Sequence, residues 1–285
     1  MPRGLSQKTT NLIDAAAAIL REIQPATVRA VCYRLFVQEL IANMSKGETD
    51  KVSRALTKAR ELGLIPWEWI VDETRQVARL PSWRDPEGFM QVVKESYRKD
   101  WWTDQPRRLL VVSEKTTIGG TLRPVLHQYG VGFLVLHGFG SATAMNDLAE
   151  LSVSDSRPLT LLYVGDHDPS GRHMSDADIP GRLERYSGEA ELVRLAVTLR
   201  QVTTYDLPTF SARSKSKDAR YRWFLGRHGD TCCELDALDP NALRQVVERA
   251  ITSRIDEARW KRAESVERAE MASLQSFLET WPAHS

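Results

Sequence analysis

With 285 residues, 42% of them hydrophobic, the chain can bury a sizeable core; its length suggests two domains or one with an elaborated end, and excludes a disordered polymer. Its 39 basic and 38 acidic residues nearly cancel, so a nucleic-acid-binding surface has to be local. The three cysteines, Cys32 and the adjacent Cys232 and Cys233, match neither a zinc-site spacing nor a secreted disulfide framework and fit a reducing cytoplasm. No export signal and no run of about 18 apolar residues is found, so no membrane span is expected.

In chain order, NLIDAAAAILREI (Asn11 to Ile23) has apolar spacing suited to a helix that Pro25 closes. A second helix starts at Thr27, a plausible N-cap, and runs through VRAVCYRLFVQELI. A third, KVSRALTKAREL, follows a cap at Thr49 or Asp50 and ends at Gly63. Then LIPWEWIVDETR reads as a short extended excursion, and the whole of residues 1–78 looks like a winged helix-turn-helix DNA-binding domain. In residues 1–64 ten bases against six acids leave a local surplus of four positive charges. Lys51, Arg54 and Lys58 share one face of the third helix, where they could meet DNA phosphates; an ordinary solvated face is the alternative.

Residues 79–106, with Pro81, Pro86 and Pro106 around a helical piece, read as a linker, its aromatics packing at the domain junction. After Pro106 short apolar runs alternate with helices: RLLVVS, GFLVLH and LTLLYVG are continuous rather than alternating, as parallel strands buried on both faces are. Residues 107–255 are therefore expected to form an α/β domain; from Asn241 the chain reads as a long charged helical stretch, one helix or a broken pair, with 256–285 as the C-terminal helix.

Open parallel sheets bind ligands beyond the carboxyl ends of their strands, and the acids fall there. Glu114 follows RLLVVS, and Asp166-His167-Asp168 follows LTLLYVG. Three carboxylates converging at one sheet edge are hard oxygen ligands suited to Mg²⁺ or Mn²⁺, able to neutralise a transferring phosphoryl group. A single strand-end acid more often caps the next helix; three at two strand ends, followed by Pro169-Ser170-Gly171, are harder to dismiss. A second basic cluster lies in residues 211–222, where Arg213, Lys215, Lys217, Arg220 and Arg222 face one acid, Asp218; a phosphate-contacting loop and a mobile surface loop are the two readings.

Glu114-Lys115 after one strand and Gly165-Asp166-His167-Asp168-Pro169-Ser170-Gly171 after another resemble a Toprim domain. More narrowly they resemble that of the topoisomerase VI A subunit and its meiotic double-strand-break relatives, in a compact Mini-A-like form. His137-Gly138-Phe139-Gly140 and Glu234-Leu235-Asp236-Ala237-Leu238 also look right for that family. The resemblance implies a Rossmann-like Toprim domain behind a winged helix, with metal on Glu114, Asp166 and Asp168. It also implies a nucleophilic tyrosine in the N-terminal domain. Thr27-Val28-Arg29-Ala30-Val31-Cys32-Tyr33-Arg34 is similar to the segment carrying it, with Tyr33 as nucleophile and Arg29, four residues earlier on the same helix face, beside the scissile phosphate.

A phenol with an unperturbed pKa near 10 needs metal or cationic help to attack phosphorus. By the same resemblance the tyrosine of one subunit works at its partner's metal site, which implies a homodimer on double-stranded DNA that forms a transient 5′-phosphotyrosyl break. Because the sequence has no GxxxxGK[ST] loop, a separate ATPase subunit is the further partner implied. Two alternatives stay open: a Toprim nuclease in which metal-activated water cuts and Tyr33 is a half-buried core aromatic, and a DNA-binding protein with a vestigial acidic site.

Overall fold

A computed structural model describes residues 6–71, 82–136 and 142–279. The chain is mixed α/β, a helical unit packed on a parallel sheet. The helical unit holds α1 (Gln7–Ile23), α2 (Val28–Val37) and α3 (Lys46–Glu61). Their inward stripes, among them Ile13, Leu20, Val31, Leu35, Val52 and Leu56, form one buried cluster, as amphipathic helices must to hide their apolar faces. Thr27 is the N-cap of α2, its hydroxyl accepting from the Ala30 N–H. The third helix begins earlier than its sequence suggests, after Ser45 rather than at Thr49 or Asp50, because Lys46, Gly47 and Glu48 complete its first turn. The excursion after α3 is a 3₁₀ turn (Trp67–Trp69) followed by a parallel bridge between Ile70 and Ala26; its remainder, from residue 72, lies outside the described residues.

Residues 82–106 carry α4 (Pro86–Ser96). Of their aromatics, Trp102 joins the buried cluster of the sheet unit. Trp83 packs edge-on against Phe89, 4.6 Å between centroids, while Trp101 and Trp102 pack edge-on against Trp260, and Tyr97 donates to Glu270 at 2.6 Å. Tyr97, Trp101 and Trp102 thus meet the C-terminal helix.

The sheet unit runs β1 (Arg108–Ser113), α5 (Thr116–Tyr129), β2 (Gly132–Val135), α6 (Ala142–Val153), β3 (Leu159–Val164), α7 (Pro169–His173), a wide π turn (Met174–Asp178), α8 (Ile179–Arg185), β4 (Ala190–Ala196), α9 (Leu199–Thr204), β5 (Phe210–Ser211), α10 (Tyr221–His228) and β6 (Thr231–Cys232). It is followed by α11 (Pro240–Thr252) and α12 (Glu257–Glu279), so the charged C-terminal stretch is a broken pair with a long final helix. The first four strands form a parallel sheet in the order β2-β1-β3-β4; β5 and β6 pair antiparallel beside it.

Every residue of β3 is buried, as the central strand of a sheet covered on both faces should be. Leu109, Val111, Leu162 and Val164 point into one layer with α5 and α11, and Val112, Leu161 and Tyr163 into the other with α6 and α8, the two-sided alternation of strand side chains. Since β2 lies on one side of β1 and β3 on the other, the connections leave the sheet in opposite directions there. The topological switch point, where such sheets open a crevice at their carboxyl end, falls between β1 and β3. Among the described residues no helix is long and apolar enough to cross a membrane.

Candidate functional site

Glu114 and Asp166-His167-Asp168 leave the two strands that flank the switch point. Asp166, His167 and Asp168 are buried, and the segment is held from three sides. Asp168 caps α7, accepting from the Gly171 N–H at 2.7 Å. His167 exchanges backbone hydrogen bonds of 2.8 and 2.9 Å with Cys233. The third restraint is Arg194 of β4, which donates to the carbonyls of Gly165 (2.9 Å), Asp166 and Gly171 (3.0 Å) and to Ser175 Oγ (2.8 Å); burial brings its guanidinium down to about 10. Gly171 has to be glycine, because a Cβ there would stand 2.4 Å from the Asp166 carbonyl oxygen.

The side chains form a charge network. Lys115 donates to Asp166 at 2.7 Å and to Asp236 at 2.9 Å, and Lys215 pairs with Asp168. Asp166 also accepts from the Leu235 N–H at 2.8 Å. Burial pushes the Asp166 carboxyl up; Asp236 is buried too, yet Lys115 and the Thr27 hydroxyl hold it below its usual value. Glu114 is pushed up to about 7 by burial and by the negative charge of Asp166 and Asp168. The acids thus lie close enough to repel one another, the effect expected of clustered carboxylates.

An all-oxygen donor set carrying such repulsion fits a hard divalent cation. Glu114, Asp166 and Asp168 would hold it. Among the described residues no group of three His, Cys, Asp or Glu side chains stands as a ligand cluster; Asp166 and Asp168 are paired instead with Lys115 and Lys215.

The helical unit closes over this edge. Thr27 Oγ1, while capping α2, donates to Asp236 at 2.7 Å, and Arg29 pairs with Glu234. Arg244 of α11 donates to the carbonyls of Ile23 (3.0 Å) and Pro25. Between the units lies a cleft of about 700 Å³ lined by Thr27, Arg29, Ser53, Thr57, Arg60, Lys115, Thr117, Asp166, Glu234 and Asp236, among others.

Tyr33 sits at this junction. The Arg29 guanidinium lies 5.8 Å from its ring centroid, so the expected Arg29–Tyr33 pairing on one helix face is present. Tyr33 is only 6% exposed, and burial together with Glu234 raises its phenol well above the usual value, with Arg29 opposing.

The basic residues expected to contact DNA are divided. Lys51, Arg54 and Lys58 are exposed, Lys51 paired with Glu48 and Lys58 with Glu61. They stand roughly a third of a turn around α3 from the face lining the cleft, at 100° per residue; that face carries Ser53, Thr57 and Arg60. In the second cluster Arg213 and Lys217 are exposed, while Lys215 turns inward to Asp168. His137-Gly138-Phe139-Gly140 lies outside the described residues. Sequence reasoning missed Arg194, Arg60 and the roles of Lys115, Asp236 and Glu234; the one usable signal was an arginine inside the apolar run AELVRLA.

Compared with known proteins, the chain matches no family model and no curated sequence.

Proposed function

We propose that this chain breaks DNA strands at the switch-point edge, with Tyr33 as the attacking group and Glu114, Asp166 and Asp168 as the carboxylates that hold Mg²⁺ or Mn²⁺. The observation that carries the reading is the joining of the two halves: Thr27–Asp236–Lys115–Asp166 is one continuous chain of hydrogen bonds from the cap of α2 to the acidic turn. It holds the helix bearing Arg29 and Tyr33 against the acids. On this reading residues 7–71 are a winged-helix unit and the sheet is Toprim-like, in keeping with the resemblance of Glu114-Lys115 and Asp166–Gly171.

In the reaction the phenolic oxygen of Tyr33 bonds to phosphorus as the bond to the 3′ oxygen breaks; the proton lost by the phenol matches the one gained by the 3′-hydroxyl. Arg29 positions the phosphate and, by its charge, favours the phenolate that burial opposes. A bound divalent cation supplies neutralisation of charge on the phosphoryl group and its leaving oxygen. Lys115 and Lys215 counter the negative charge of Asp166 and Asp168, and Arg194 holds the backbone that carries them. Because Tyr33 is buried here, its attack requires the cleft to open, or a second copy to offer its acids, as the resemblance implies for a homodimer on double-stranded DNA.

The burial of Tyr33 and its raised phenol favour one second reading: hydrolysis, with water attacking in place of the phenol and Tyr33 structural. Covalent trapping separates the two. Labelled DNA is incubated with the protein and Mg²⁺ or Mn²⁺ and denatured, and protein-linked 5′ ends are sought. An adduct in wild type that is lost in Tyr33→Phe and in Asp166→Ala is the expected result; cleavage without adduct, surviving Tyr33→Phe, establishes the second reading.

A further inference from the structure

Trp67 packs against Arg60, one of the residues that line the cleft, without lining it itself. It is 59% exposed, a large apolar ring left mostly to solvent. Its backbone is nonetheless firmly held: the Trp67 carbonyl accepts from the Ile70 N–H at 3.4 Å, the Trp69 N–H donates to Pro66 at 3.3 Å, and Ala26 exchanges hydrogen bonds of 3.1 and 3.0 Å with Trp69 and Val71. The ring is therefore carried on a segment tied to the start of α2, beside the cleft residue Arg60, rather than on a free loop.

One side of the ring is covered by the Arg60 guanidinium, 4.7 Å from the centroid. Arg60 also lines the cleft, and its buried Nε takes no hydrogen-bond partner among the described residues. A buried guanidinium nitrogen without an acceptor is costly, and with Nε enclosed it is the Nη groups that a ligand in the cleft would meet. Beside it the cleft wall is set with the hydroxyls of Ser53, Thr57 and Thr117, groups that take phosphate oxygens without reading sequence. A fixed exposed indole next to an unsatisfied arginine is the pairing used to hold single strands: a stacked base and its phosphate.

We propose that Trp67 and Arg60 form a binding site for an unpaired nucleotide, Trp67 stacking on the base and Arg60 taking the phosphate, so that the cleft's substrate is DNA with a melted or single-stranded segment. The site rests on the DNA-cleavage reading for the identity of its ligand alone. Leu62 and Leu64, also exposed nearby, make a protein contact the competing use of this surface.

The test measures binding of fluorescent single-stranded and blunt duplex oligonucleotides by anisotropy in EDTA, where no cutting is asked of the protein. Trp67→Ala is expected to lower single-strand affinity by about 5- to 150-fold, the range of one base stack, with Trp67→Phe keeping most of it and duplex affinity changing less. Arg60→Met should reduce the salt dependence of single-strand binding by about one phosphate contact. Crosslinking of wild type to an iodouracil-bearing single strand should mark the peptide containing Trp67, which keeps the site testable if a variant fails to fold. Single-strand affinity within about twofold of wild type in Trp67→Ala, equal losses on both DNAs, no measurable single-strand binding by the wild type, or a crosslink elsewhere overturns it. Absence of a covalent adduct in the wild type, with these binding results intact, would sink the tyrosine chemistry and leave this site standing.

Discussion

Lys115 is the residue on which most of the site's charge balance turns. It faces two carboxylates, Asp166 and Asp236, both of them buried. Removing one partner of such a group leaves an uncompensated charge, at a cost of about 3–5 kcal/mol. Lys115→Met should therefore lower stability to urea by roughly that amount, with part recovered when Asp236→Asn is added; a neutral single variant would mean the network is solvated. Gly171→Ala should cost about 1–3 kcal/mol, the usual range for overpacking, because its Cβ meets the Asp166 carbonyl.

Glu114 gives the pH dependence. Its carboxyl is raised to about 7 in the folded chain by burial and by Asp166 and Asp168, so the folded state holds its proton more tightly than the unfolded one. The stabilisation is full below the ordinary carboxylate range and is lost as pH rises through 7. In EDTA the wild type should lose on the order of 2 kcal/mol between pH 4.5 and 8, allowing for partial exposure. Glu114→Gln should lack that component, and identical urea midpoints against pH for the two proteins would contradict the assignment.

Among the elements, β1, β2 and β3 were readable because RLLVVS, GFLV and LTLLYV are unbroken apolar runs, and the acids were readable because Glu114 and Asp166 end those runs abruptly. β4 was not, since Glu191 and Arg194 interrupt its pattern; Arg194 is there to bind the carbonyls of the acidic turn, a demand that arises only in three dimensions. The face α3 turns to the cleft was equally hidden. Ser53 and Thr57 carry no charge, and a helix's orientation depends on what packs against it, so Lys51, Arg54 and Lys58 drew attention instead. That Tyr97, Trp101 and Trp102 meet α12 was hidden for the same reason.

Arg244 tests the coupling of the elements. It ties α11 to the turn between α1 and α2. Arg244→Met should speed hydrogen exchange in α2 while leaving β1 and β3 protected; uniform exchange changes would show that the units do not open separately.

At the scale of the whole molecule, the α/β class and the acids' place at the sheet edge could be foreseen, while the closure of the helical unit over that edge could not. That closure depends on Thr27 reaching Asp236 and Arg29 reaching Glu234, pairs more than 200 positions apart. It also buries Tyr33, which makes assembly in trans a question for the intact protein. If tyrosine and acids come from different copies, mixing Tyr33→Phe with Asp166→Ala should restore part of the covalent adduct that each lacks alone; no restoration would place both groups in one chain. The most direct measurement is cleavage of supercoiled DNA by the wild type and Asp166→Asn, with Mg²⁺ and with EDTA. Breaks formed by the wild type in Mg²⁺, and abolished both by EDTA and by Asp166→Asn, are the expected result; equal cleavage by the two proteins would contradict a working site at the switch point.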